Sequence, residues 1–172
     1  MPSQLFAPSS EGEARLLLLI SAFTGRSKSL EGRTKLAKLD FFLRYPDYLR
    51  RAINIRAPAT NLPDAPLLAK TIENRMIRYR YGPWDPAYFS LLGRLLGRGL
   101  VDVVPGAQGL HFRTSGAGSR LAAKLAETED WKQTAAISKL LRRHLDLSGA
   151  SLKRFVYKNF PEVTAASWGE PL

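Results

Sequence analysis

The sequence predicts a mainly α-helical fold with one small β wing, followed by a C-terminal helical extension. Three observations carry this. Apolar residues recur at spacings of three and four through much of the chain. One short hairpin pattern follows directly on an amphipathic helix. Helical patterning then resumes at 128 and runs to 163. With 172 residues, 45% hydrophobic and 24% charged, the chain can bury a core unaided.

Residues 1–10 contain Pro2, Pro8 and three serines and read as an extended arm. Ser9 or Ser10 can cap a helix over 11–24, with Glu11 and Glu13 in the first turn, where the helix dipole favours acids. Its LLLLI run at 16–20 is apolar all round, which predicts the buried centre of the domain, and Gly25 is the expected stop. A second helix is expected over 31–45. Leu36, Leu39, Phe42 and Leu43 form its inner face, and Arg33, Lys35, Lys38 and Arg44 lie on the surface. Pro46 and Asp47 start another turn of helix. The stretch 56–68, with three prolines and no periodicity, is an irregular connection.

RMIRYRY at 75–81 alternates and reads as a half-buried strand, with a turn at 82–86. Asp85 is a suitable cap, and Pro86 suits the first position of a helix over 87–98. That helix gathers Tyr88, Leu91, Leu92, Leu95 and Leu96 on one face and ends at Gly99. A hairpin follows, with strands at 100–104 and 110–114 and a turn at 105–109. Val101 and Phe112 bury it against the core, and Leu110 is expected to be buried beside an exposed His111. Ser115 caps a helix over 116–127, and two more helices are expected at 128–146 and 149–159. This order is that of a winged helix-turn-helix. It gives an arm at 1–10, a winged-helix domain at 11–127, a helical extension at 128–163 and a tail at 164–172.

The charge points to partners. Lys and Arg number 26 against 15 Asp and Glu, a net +11. Such a balance suits DNA, RNA or an acidic protein surface, and equally an arginine-rich coding background. With no cysteine and two distant histidines, His111 and His144, neither disulfides nor a protein-ligated metal is expected. No P-loop follows the glycines at 93, 97, 116 or 118, so no nucleotide cofactor is expected. Neither a membrane span nor a secretory leader is legible, which makes the cytoplasm the expected location.

Asp40, Asp47 and Asp85 each have a structural role available, as ion-pair partner, turn start and cap, so catalysis is not expected of them. Arg75, Arg78 and Arg80 either reach phosphates or an acidic partner, or form the solvated face of a strand. Arg94 and Arg98, one turn apart on the helix before the wing, and Arg113 on the wing are further candidates for contact with a DNA backbone or an acidic partner. Trp84, Tyr88 and Phe89 are candidate anchors for a protein partner, or core residues.

Two segments sharpen the reading. YFSLLGRLLGRGLV at 88–101 resembles the recognition-helix segment of bacterial winged-helix regulators, and FRTSGAG at 112–118 resembles the segment closing their wing. Thr114 stands where an apolar residue is usual. More broadly, KLDFFLRYPDYLRRAI at 38–53, RYRYGPWDPAYFSLLGRLLGRGLV at 78–101 and SLKRFVYKNFPEV at 151–163 resemble the middle component of bacterial ABC-three-component defence systems, the group that includes the Lamassu small subunit. The resemblance spans residues 11–163. It implies a noncatalytic subunit of an anti-phage or anti-plasmid complex, bound to an SMC- or Rad50-like ABC ATPase alongside a separate effector nuclease; the basic charge adds the expectation of contact with double-stranded DNA without sequence preference. The alternative is a dimeric winged-helix transcription regulator, with 128–159 as its dimerising segment.

Overall fold

The computed structural model describes residues 7–60, 62, 76–79, 82–107 and 109–172. Helix α1 (Ser10–Phe23) starts where Ser9 Oγ accepts the Gly12 N–H at 3.0 Å. Leu16, Leu17, Leu18, Leu19 and Ile20 are all buried, so this helix is the centre around which the helices Tyr88–Gly97, Gly116–Ala126 and Lys132–His144 and the wing hairpin pack. Gly25 does not stop it. Thr24 leaves in an extended conformation, donating its hydroxyl to Ile20 O (2.8 Å) and accepting the Thr114 N–H (3.0 Å). Gly25 instead pairs with Lys28 in a small bridge.

Leu30 then exchanges two backbone hydrogen bonds with Phe112, at 2.8 and 2.9 Å. Helix α2 (Gly32–Arg44) departs from expectation: Lys35, Lys38 and Arg44 are buried, not on the surface. A stripe pattern presupposes one solvated face. Here α1, α3, α6, α7 and both hairpins close around the helix, and most of its charges are paired inside. Helix α3 (Pro46–Arg56) begins with Pro at its first position and Asp47 in its first turn.

Strand β1 (Ile77–Tyr79) lies within the predicted strand, but its partner was not anticipated. Residues read as a turn form β2 (Gly82–Trp84), antiparallel to β1 with Ile77 opposite Trp84. Gly82 adopts φ +112°, which permits the tight reversal. The other edge of β1 is covered by the tail: Arg78 N–H donates to Glu170 O (2.9 Å) and Leu172 N–H to Met76 O (2.9 Å). Tyr45 ties this corner together, its hydroxyl accepting from Met76 N–H (2.9 Å) and donating to Leu172 O (3.0 Å).

Helix α4 (Tyr88–Gly97) ends with Gly99 at φ +68° and runs into β3 (Val101–Gly106) and β4 (Gly109–Thr114). Their pairing extends from Val101 opposite Thr114 to Gly106 opposite Gly109, so the hairpin is longer and its turn shorter than the sequence suggested. Val101 and Phe112 are buried as expected. Leu110 is exposed and His111 half-buried, the reverse of expectation: the hairpin tip extends beyond the core, whereas the His111 ring lies 3.1 Å from Ser29 Oγ. Ser115 caps α5 (Gly116–Ala126) by accepting the Gly118 N–H at 3.0 Å.

The chain continues through α6 (Lys132–His144), α7 (Gly149–Asn159) and α8 (Pro161–Ala165). Ile137, Leu141, Leu145, Leu152, Val156, Phe160 and Val163 belong to the same buried cluster as α1 and α2. Phe160 meets Phe42 edge-on at 5.6 Å. The architecture is thus mainly helical with two small antiparallel sheets. Among the described residues no helix is long and apolar enough to cross a membrane.

Candidate functional site

Two constellations of charged and aromatic side chains stand out, one buried and one open. The buried one centres on Asp40 of α2. Its Oδ1 accepts from Arg15 Nε of α1 at 2.7 Å. Its Oδ2 accepts from the Tyr88 hydroxyl at 2.7 Å and from Arg44 Nη1 at 3.4 Å. Arg44 bridges onward to Asp85 Oδ2 at 2.7 Å, and Asp85 Oδ1 accepts the Ala87 N–H at 2.8 Å at the entry to α4. Burial pushes the Asp40 carboxyl up, but the Arg15 and Arg44 guanidinium groups and the Tyr88 hydroxyl outweigh it and hold its pKa below the ordinary value. Burial and the Asp40 carboxylate raise the Tyr88 phenol well above its usual range. Every oxygen of both carboxylates is engaged, which makes this a structural clasp joining α1, α2 and α4. Tyr88 is therefore core and not an anchor for a partner.

The open constellation lies where β1, β2 and α4 meet the N-terminal half of α2. It is a groove of about 500 Å³ lined by Arg33, Ala37, Tyr79, Pro83, Trp84 and Phe89, among others. Phe89 is 62% and Tyr79 47% exposed. Trp84 sits between them, its centroid 5.7 Å from Tyr79 and 6.1 Å from Phe89, and it meets the buried Tyr88 edge-on at 5.1 Å. The Arg33 guanidinium stands 4.6 Å over the Phe89 ring. Arg33 was read as an ordinary surface charge, so sequence reasoning missed its place here. Its only signal was its position on the turn of helix that precedes Ala37.

No protein-family model, curated protein or solved structure matches the chain. Functional argument therefore rests on the residues. Arg78 is buried: it donates to Thr164 O (3.4 Å) and to its neighbour Tyr79 O, so it does not belong to an exposed phosphate-facing ladder. Arg75 and Arg80 lie outside the described residues. Arg94 and Arg98 do share the outer side of α4, and both reach Glu13 of α1, at 3.3 and 3.1 Å. Arg113 is half-buried on β4, opposite Asp102. Among the described residues, no group of three or more histidines and carboxylates is placed to hold a metal ion.

One buried charge makes a measurable difference. Lys38 lies close behind Gly82 of the groove, and among the described residues its ammonium has only the Thr34 carbonyl, at 3.4 Å. Burial, aided by the positive charge of Lys153, lowers its pKa from 10.5 to about 8. At neutral pH the folded state thus carries a disfavoured ammonium. Stability from this site rises as pH climbs from about 8 towards 10.5, because the unfolded chain then binds the extra proton. Lys38→Met is expected to stabilise the protein at pH 7 by up to about 3 kcal/mol, with the gain shrinking towards pH 10. Paired denaturant titrations at the two pH values check this; a loss of stability at pH 7 would refute it.

Proposed function

We propose that this chain is a noncatalytic accessory subunit of a bacterial anti-phage or anti-plasmid complex, built on a winged-helix core. It binds an SMC-like ABC ATPase through the aromatic groove, works beside a separate effector nuclease, and touches double-stranded DNA through its backbone only. The observation that carries this reading is the exposed Tyr79–Trp84–Phe89 surface beside α4. Aromatic side chains with a guanidinium nearby are the composition of interface hot spots.

Two further features support it. The elements α1, Leu30, α2, α4, β3 and β4, with α3, β1 and β2 interposed between α2 and α4, follow the order of a winged helix, with the Leu30–Phe112 bridge as a one-residue third strand beside the wing. The outward residues of α4 are Phe89, Ser90, Gly93, Arg94, Leu96 and Gly97, and the one guanidinium among them is already paired with Glu13, which leaves few free donors for reading base edges. This favours a protein-facing helix over the dimeric transcription regulator. The apolar faces of α6 and α7, which a regulator would use to pair, line the chain's own core.

The test is co-expression with any long coiled-coil ABC ATPase that the chain's own locus encodes. The two chains should co-elute at moderate salt, and Trp84→Ala should weaken the complex more than removal of residues 1–8. Elution apart under every nucleotide condition defeats the proposal. On duplex DNA, neutralising about four to six phosphates gives a log–log salt slope of about −4 to −5, similar on all sequences. One operator bound more than about 10³-fold above random DNA would favour the regulator.

A further inference from the structure

Among the described residues, Arg33 is the one charged side chain lining the aromatic groove; no carboxylate lines it. The other cations of the same helix stretch, Lys35 and Lys38, are turned inward and buried. The groove therefore presents an apolar floor, from Ala37, Ile77 and Pro83, aromatic walls, and a single positive charge at the rim. Its volume, about 500 Å³, accommodates one or two apolar side chains.

From this charge pattern we propose that the groove takes a short segment of a partner protein in which aromatic or aliphatic residues are flanked by carboxylates. This rests on the subunit reading above and specifies the chemistry its anchor recognises. The apolar residues fill the space between Tyr79, Trp84 and Phe89. An adjacent Asp or Glu meets the Arg33 guanidinium, whose position over the Phe89 ring at 4.6 Å holds it ready without a long side chain to order. A second copy of this chain is the wrong occupant: two copies would bring two Arg33 residues and two net charges of +11 together. A nucleic-acid base is also less suited, because the floor offers apolar atoms where base edges need hydrogen-bond partners.

The probes are two fluorescein-labelled twelve-residue peptides with Leu, Phe and Trp at the same positions, one otherwise Asp and Glu and the other otherwise Lys, with labelled oligo-dT of similar length as a third. The full-length protein should bind the acidic peptide at least tenfold more tightly than the basic one. Phe89→Asp, at an exposed position that the fold does not need, should weaken that binding tenfold or more. Arg33→Glu should do the same, whereas Arg120→Glu on α5, with the same change in net charge, should alter it less than threefold. Equal losses from the two arginine variants would mean diffuse attraction and overturn the proposal. Phe89-dependent binding of oligo-dT in preference to the acidic peptide would assign the groove to nucleic acid, and a wild-type dimer abolished by Phe89→Asp would assign it to a second copy; each overturns it. The subunit reading fails separately. A complex with the ATPase that ignores Phe89→Asp and Arg33→Glu removes this inference and the groove as the docking site but leaves the subunit role, while absence of any complex removes the subunit reading whatever the peptides do.

Discussion

Asp40→Asn is expected to destabilise the protein by about 3–5 kcal/mol, the scale of breaking a buried ion pair from one side. The substitution keeps the volume and still offers an oxygen, but it leaves the enclosed guanidinium groups of Arg15 and Arg44 facing an amide. The neighbouring Asp85 answers only Arg44, at 2.7 Å. Tyr88→Phe removes one donor from the same carboxylate and should cost about 1–2 kcal/mol. The pH dependence has a definite sign. Asp40 is held below its ordinary pKa, so its contribution is complete above that value and fades as pH falls through the folded-state pKa. The gap between wild type and Asp40→Asn should therefore narrow in acid. Equilibrium unfolding in urea at pH 7 and near pH 2, below the ordinary carboxyl value, measures both; a loss below about 1 kcal/mol at pH 7 would mean that the clasp contributes little.

Gly118→Ala is expected to be comparably damaging, although it adds one methyl group. That methyl would overlap the backbone carbonyl oxygen of Leu100, the residue that leads into β3. A flexible side chain can move aside, but Leu100 O also accepts the Ser115 N–H at 3.0 Å, the bond that seats the start of α5 against the hairpin. Relief therefore requires separating α5 from the wing, at about 3 kcal/mol or more. Gly116→Ala, two residues earlier in the same helix, meets only the far end of the Arg120 side chain at 3.4 Å and should be nearly neutral. Thermal unfolding of the two variants side by side checks the contrast, and equal melting temperatures would refute it.

Local signals in the sequence were reliable where local physics decides the outcome. Ser9 and Ser115 cap the helices they were expected to cap, and Gly99 takes the left-handed conformation that ends α4. The apolar run of α1 lies at the centre. What failed was the placing of several charged residues at the surface, although Arg33 does lie there. Lys35, Lys38, Arg44 and Arg78 are all buried, because partners from distant parts of the chain enclose them. Asp146, for example, reaches Lys35 at 2.9 Å across more than a hundred residues. The β1–β2 pair was illegible for a related reason. The alternation that marks β1 says nothing of its partner: Gly82, Pro83 and Trp84 have the composition of a turn, and the backbone of the tail covers the other edge of β1. For the candidate site, Trp84, Tyr88 and Phe89 were legible only as anchors or core, and the structure separates them: Tyr88 is buried, Trp84 half-buried and Phe89 exposed, whereas Arg33 needed the three-dimensional neighbourhood.

Glu13, nine-tenths enclosed in the first turn of α1, has one oxygen on Arg94 and the other on Arg98. The outer side of α4 thus carries its own fixed counter-ion. A phosphate arriving there must displace a tethered carboxylate that stays nearby, so each arginine neutralises less phosphate charge than an unpaired one would. Release of the cations condensed on a polyanion, as its phosphates are neutralised, is the entropic source of salt-sensitive binding, and these two arginines can drive less of it than their number suggests. The same carboxylate lowers the positive potential felt at a distance. The helix before the wing is therefore electrostatically quieter than the chain's overall charge, and long-range attraction of a polyanion falls to cations elsewhere on the surface.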